Sequence, residues 1–206
     1  MKKRSDDNSY TNFQKEHPQI AKKVNKSLKT SITEGSLASV SVGLGPSYLA
    51  PFALAMQATS AQIGVLHAIA SLLPSVSQLG SCKLIRKFSR KKILVAGVII
   101  QALLWIPIML TTLLYFNNIP STIWILITLV GLFYIAGGLI FPAWFSLMGS
   151  LVPPRERGKY FSKRNRAAQF FGIITMILSA IFLDYMTKVG TQTEQIIGYT
   201  IFGFVT

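Results

Sequence analysis

Five stretches of this chain are each apolar for long enough to cross a lipid bilayer, and that limits what it can fold into. They cover about residues 36–58, 62–82, 93–116, 121–151 and 167–187. A bilayer core is about 30 Å thick and takes about 20 helical residues to span. Hydrocarbon offers backbone groups no partner, so a spanning segment must be a helix or part of a closed barrel. These runs are too long for strands and do not alternate, so helices are predicted. A sixth apolar run opens near Gln195 and is still apolar at Thr206 (Ile196, Ile197, Ile201, Phe202, Phe204, Val205). At 1.5 Å per residue it reaches only roughly 18 Å. A helix stopping there would leave its last carbonyls unpaired in hydrocarbon, so this span is expected to be incomplete and the chain to be a piece of a longer protein.

Composition agrees with a membrane protein. Half the residues are hydrophobic and 14% are charged, against about 25% charged in soluble domains. The seven acids (Asp6, Asp7, Glu16, Glu34, Glu156, Asp184, Glu194) all avoid the middle of an apolar run. The predicted class is an all-α polytopic membrane protein. A net charge of +14 would suit nucleic acid only on a soluble domain with a basic face, which this chain lacks. The single cysteine, Cys82, excludes an internal disulfide and has no zinc-ligand partners. Residues 1–31 hold no continuous apolar stretch, so no signal peptide is read there.

The cations explain the charge. Eight precede the first span (Lys2, Lys3, Arg4, Lys15, Lys22, Lys23, Lys26, Lys29). Six lie between the second and third (Lys83, Arg86, Lys87, Arg90, Lys91, Lys92) and six between the fourth and fifth (Arg155, Arg157, Lys159, Lys163, Arg164, Arg166). Only Lys188 lies elsewhere. Alternate connections are therefore basic. The positive-inside rule puts them and the N-terminus in the cytoplasm, with the spans in the plasma (inner) membrane. The connections Thr59–Ala61 and Asn117–Pro120 are too short for anything but antiparallel hairpins.

Residues 1–35 read as a cytoplasmic tail and 36–206 as the transmembrane bundle. Residues 1–17 are polar and expected to be disordered. Pro18 suits the first position of a helix. Ile20, Val24, Leu28 and Ile32 then recur every four residues, with Lys22, Lys23, Lys26 and Lys29 between them. Two readings stand: a basic amphipathic helix on an anionic lipid surface, or a helical lead-in to the first span.

Small residues form stripes on three spans: Gly35, Ser39, Gly43 and Ser47; Gly64, Ala68, Ser71 and Ser75; Ala168, Gly172, Thr175 and Ser179. Such stripes let helices approach closely in lipid. Pro46, Pro51, Pro74, Pro107 and Pro142 interrupt the first four spans. A membrane proline usually just kinks a helix, but several together suggest broken helices lining a cavity.

The second-to-third connection, Cys82 through Lys92, resembles the loop signature of the major facilitator superfamily, G-x-x-x-D-R-x-G-R-R/K. Lys87, Arg90 and Lys91 stand at its basic positions. Cys82, Arg86 and Ser89 stand where the first Gly, the Asp and the second Gly are expected. The fourth-to-fifth connection resembles a second element of that superfamily, P-x-x-x-R-G, through Pro153, Arg157 and Gly158. The resemblance covers about residues 30–206. It implies twelve spans in two halves, each of two inverted three-span repeats, with this chain as the N-terminal half cut in its sixth helix. It also implies conformational roles for Arg86, Lys87, Arg90, Lys91, Arg157 and Gly158. With Arg86 at the Asp position, the family's Asp-based latch does not carry over. Gly158 is expected to turn at positive φ, and Arg157 to bond helix-end carbonyls or acids.

No enzyme constellation is present: no H-E-x-x-H, G-x-S-x-G, P-loop or Cys/His cluster. No metal or cofactor is implied. Glu34, at the mouth of the first span, is placed to pair with Arg164 or Arg166, or is simply an exposed acid at a helix start. His67 is a membrane titratable group or an interfacial residue bonded to a neighbour. Ser47, Tyr48 and Tyr134 carry hydroxyls near the midplane that suit a solute, although membrane tyrosines are more often packed. Gln101 is expected to bond another helix, and Asp184 to be solvated. The function expected is secondary active transport of a small solute by alternating access, the rest of the chain supplying the other half. The alternative is a non-transporting membrane receptor or scaffold with a transporter-like fold.

Overall fold

The structure, a computed structural model, describes residues 18–154, 156–189 and 192–205. The predicted disordered tail, residues 1–17, lies outside them. Seven α-helices are described: α1 (Pro18–Leu44), α2 (Leu49–Ala55), α3 (Ser60–Lys87), α4 (Arg90–Phe116), α5 (Thr122–Leu151), α6 (Arg157–Val189) and α7 (Gln192–Val205). No strand occurs among the described residues. The all-α membrane bundle is as the sequence predicts. Five stretches are long and apolar enough to cross a membrane: Lys22–Ala55, Ser60–Lys87, Arg90–Phe116, Thr122–Leu151 and Arg157–Tyr185.

α1 runs without a break from Pro18 to Leu44. The basic segment is thus continuous with the first span, and no structural boundary falls at residue 35. The first span breaks instead at Gly45–Tyr48, where a 3-10 turn covers Pro46–Tyr48 and joins α1 to α2. Pro46 has no N–H, so the Val42 carbonyl one turn earlier loses its helical partner. The Ser47 hydroxyl donates to that carbonyl at 2.8 Å. Pro74, Pro107 and Pro142 lie inside helices that continue through them.

The turns are locally determined. Thr59 accepts from the Gln62 backbone while the Gln62 side chain accepts from the Thr59 backbone, a reciprocal cap that opens α3. Gln57 (φ 62°) and Asn118 (φ 55°) take left-handed conformations in the two tight hairpins, a region asparagine tolerates better than glutamine. Ser89 caps α4 by accepting from the Lys92 backbone.

Three helix pairs pack most extensively: α3 with α5, α1 with α6, and α4 with α5. The first two are seams of small residues. Along α1–α6, a Cβ on Gly43 would lie 3.1 Å from the Gly172 carbonyl and from Thr175, and one on Gly172 would lie 3.4 Å from Ser39. Two of the three predicted stripes therefore face each other. Along α3–α5, a Cβ on Gly138 would lie 2.8 Å from the Pro74 Cα and would overlap the Ser77 hydroxyl and Pro74 carbonyl. The third stripe is elsewhere: Gly64, Ala68, Ser71 and Ser75 are all exposed on α3.

The apolar core lies at the end away from the cations. There Phe52, Ala53 and Met56 of the α2 region meet Leu66, Trp105, Ile108, Leu126, Val130 and Ile196. Elsewhere large side chains such as Leu79, Leu103, Leu113, Ile177 and Ile181 stand exposed. In a soluble protein this would be an anomaly; on a bundle solvated by lipid it is the expected surface.

Gly138 and Gly64 should respond oppositely to the same change. Gly138→Ala forces the α3–α5 seam apart and is expected to cost about 1–3 kcal/mol. Gly64→Ala meets nothing within 4 Å and should gain up to about 1 kcal/mol of helix propensity. Thermal unfolding in detergent checks both; similar shifts would refute the seam.

Candidate functional site at the basic end of the bundle

Arg164, in the third turn of α6, ties three helices together. Its Nε donates to the Ser31 carbonyl of α1 at 3.2 Å, and its Nη2 donates to Glu34 Oε2 at 3.2 Å. Its guanidinium lies 4.2 Å from the centre of the Trp144 ring of α5. Glycine at position 35 makes this possible, because a Cβ there would sit 2.7 Å from the guanidinium carbon. The Arg164 side chain is only 14% exposed, and that of Glu34 is 53% exposed. An ion pair half open to solvent adds little, typically about 0–1 kcal/mol. The ring contact and the carbonyl bond hold Arg164 more than the acid does.

The surroundings reinforce the same junction. The Tyr160 hydroxyl of α6 donates to the Leu28 carbonyl at 3.4 Å. The Ser31 hydroxyl donates to the Met148 sulfur at 3.4 Å. Phe161 stacks on Phe145 at 5.6 Å between centroids and meets Trp144 edge-on.

Arg157 turns back on the end of α5. Its Nε donates to the Val152 carbonyl at 3.1 Å and its Nη2 to the Gly149 carbonyl. It thus meets helix-end carbonyls, one of the two partners its position suggested. Gly158 corrects an expectation. It lies in the first turn of α6, and no glycine among the described residues has positive φ. Before it, the Glu156 backbone N–H donates to the Pro153 carbonyl at 3.0 Å, and Arg157 caps the end of α5.

In the other basic connection, Arg90 reaches the Ser146 carbonyl of α5 at 3.4 Å, and Lys87 lies 5.7 Å from the Phe88 ring centre. Arg86 and Lys91 are exposed and form no ion pair among the described residues.

The midplane candidates scatter over different partners. The Ser47 hydroxyl is engaged by Val42. The Tyr48 hydroxyl donates to the Met176 carbonyl of α6 at 2.6 Å, and its ring is 6.5 Å from that of Tyr199 on α7. Tyr134 is half-buried with its ring edge-on to Phe133. His67 is exposed, and its carbonyl accepts from Ser71. Gln101 donates from α4 to the Phe133 carbonyl of α5 at 3.3 Å, as expected. Asp184, exposed, accepts from Lys188.

The sequence profile of the Major Facilitator Superfamily matches residues 33–202. The chain belongs to the Major Facilitator Superfamily. No curated protein and no solved structure matches it. It is accordingly a multi-pass integral membrane protein, and the general activity of its superfamily is transport.

In this superfamily member, the sequence pairs Glu34 with a basic residue of the fifth span but does not reveal Trp144 as the platform or Gly35 as the seat. Gly35 reads as part of a packing stripe, whereas its neighbour across the seam is a charged side chain. Arg164→Ala is expected to cost about 2–4 kcal/mol, because it removes a ring contact and charge-assisted bonds. Gly35→Ala, which displaces the guanidinium, should approach that loss. Glu34→Gln should cost at most about 1 kcal/mol. Unfolding midpoints of the three variants check this ordering; a dominant ion pair would instead make Glu34→Gln as costly as Arg164→Ala.

Proposed function

We propose that this chain forms one half of a secondary transporter that moves a small solute by alternating access, with its basic end and N-terminus in the cytoplasm of the plasma (inner) membrane. The observation that carries this reading is the crosswise pairing of the helices. The first span (α1 and α2) packs on the fifth (α6), and the fourth (α5) packs on the second (α3). If spans one to three and four to six are inverted repeats, the first corresponds to the fourth and the second to the fifth. Each central helix is then clasped by the second helix of the other repeat. Interlocked repeats of this kind move as a unit, which rocking about a midplane site requires.

Two further observations support the reading. The first span is broken at Gly45–Tyr48, as in transporters whose discontinuous helices face a cavity. Arg164, Trp144, Tyr160 and Glu34 join the first, fourth and fifth spans at one mouth, so those helices would open together. Arg86 and Lys91 would be free to meet acids of a second half, and His67, Ser71, Ser75 and Tyr134 would offer polar contacts to the solute. Arg157 and Gly158 would keep the fourth-to-fifth connection tight during the motion.

Flux is the direct test. The whole protein, this half together with the other, is expected to move a solute down or against its gradient in proteoliposomes, and binding without flux would refute transport. Orientation is tested separately in a Cys82→Ser background. In intact cells, Lys159→Cys should react with an impermeant maleimide only after permeabilisation, and Asn118→Cys without it. The reverse pattern would overturn the orientation.

A further inference from the structure

Away from the Arg164 junction, the second and third spans splay apart over the face of the fourth. They leave an apolar groove of about 510 Å³. Leu84 and Phe88 form one wall, Ala96, Ile100 and Leu104 another, and Leu132, Ile135 and Leu139 the floor. A single cation, Lys92, lines it. From the groove geometry and this charge we propose that it holds one acyl chain of an anionic glycerophospholipid, with the headgroup phosphate at Lys92.

The length fits. From Lys92 to Leu104 α4 rises about 18 Å, close to the roughly 15 Å depth of one hydrocarbon leaflet. Lys92 stands at the basic end and Leu104 at mid-depth, so a chain laid along the groove would enter at headgroup level and end near the bilayer centre. Ile100 and Leu132, which line the groove, are exposed apolar residues, as an opening towards lipid requires.

The charge fits an anion. Lys83 to Lys92 contains six cations and no acid. Arg90 is bonded to a carbonyl, but Arg86, Lys91 and Lys92 form no ion pair among the described residues. A lysine at this depth lays its stem along apolar walls and lifts its ammonium to the interface. Basic residues next to a membrane helix favour anionic headgroups over zwitterionic ones. The assignment does not depend on which leaflet the basic end occupies, nor on transport.

Native mass spectrometry of the delipidated chain, titrated with phosphatidylglycerol or phosphatidylcholine, tests the site. Phosphatidylglycerol is expected to be retained more strongly. Lys92→Gln, at an exposed position, should weaken it roughly fivefold and leave phosphatidylcholine unchanged. Ala96→Trp, which fills the groove, should reduce retention of both lipids. Lys163→Gln, a basic-end control outside the groove, should change neither. Equal retention of the two lipids, or an equal effect of Lys92→Gln and Lys163→Gln, would overturn the proposal.

Discussion

The fold depends on close approach of helix backbones where large side chains would hold them apart. In hydrocarbon, burying apolar surface does not favour helix–helix contact over lipid contact, so helices must associate through packing at short range. Glycine supplies that range at two seams. Gly43 and Gly172 bring α1 against α6, and Gly138 brings α5 against the Pro74 turn of α3. One seam joins the first span to the fifth, and the other joins the second to the fourth. The bundle is therefore held by two similar clasps rather than by one central core, and the buried apolar cluster is confined to one end.

Because the core lies at that end, the basic end needs a different fastening. There the helices are joined by polar and aromatic contacts centred on Arg164, and these too depend on a small residue, Gly35. One α1 stripe thus does two jobs. Gly43 admits a backbone, and Gly35, about two turns nearer the cations, admits a guanidinium. The break in the first span falls just beyond Gly43, where Pro46 frees a carbonyl and Ser47 recaptures it. The helix can bend there without leaving an unpaired acceptor in lipid.

The spans, the two short hairpin connections and two of the three small-residue stripes were legible because they rest on local chemistry: apolar length, short polar gaps and four-residue spacing. The partners of those stripes were not legible. The α1 and α6 stripes meet, but the Gly64 to Ser75 stripe is exposed, and α3 packs instead through Pro74 and Ser77. Spacing identifies a face that tolerates close approach without identifying what approaches it. Trp144 and Arg164 lie twenty residues apart on different helices, so their ring contact has no local sign. Gly158 misled for the opposite reason. A glycine after a proline-rich turn suggests positive φ, but Arg157 already terminates α5, and Gly158 simply joins the next helix.

The connection between the second and third spans carries Arg86 where the superfamily signature it resembles has Asp. An acid at position 86 would have offered its neighbours Lys87, Arg90 and Lys91 a local counter-charge. With Arg86 there, the loop has no internal acid at all, and its cations are left to carbonyls, an aromatic ring and whatever lies outside the bundle. Only Arg90 reaches a carbonyl, on the end of α5. These cations stand on the last turns of α3 and the first turn of α4, either side of Phe88 and Ser89, and all are exposed. Even with an acid at position 86 the segment would stay basic; Arg86 makes it more so and leaves the counter-charge for its six cations outside the segment.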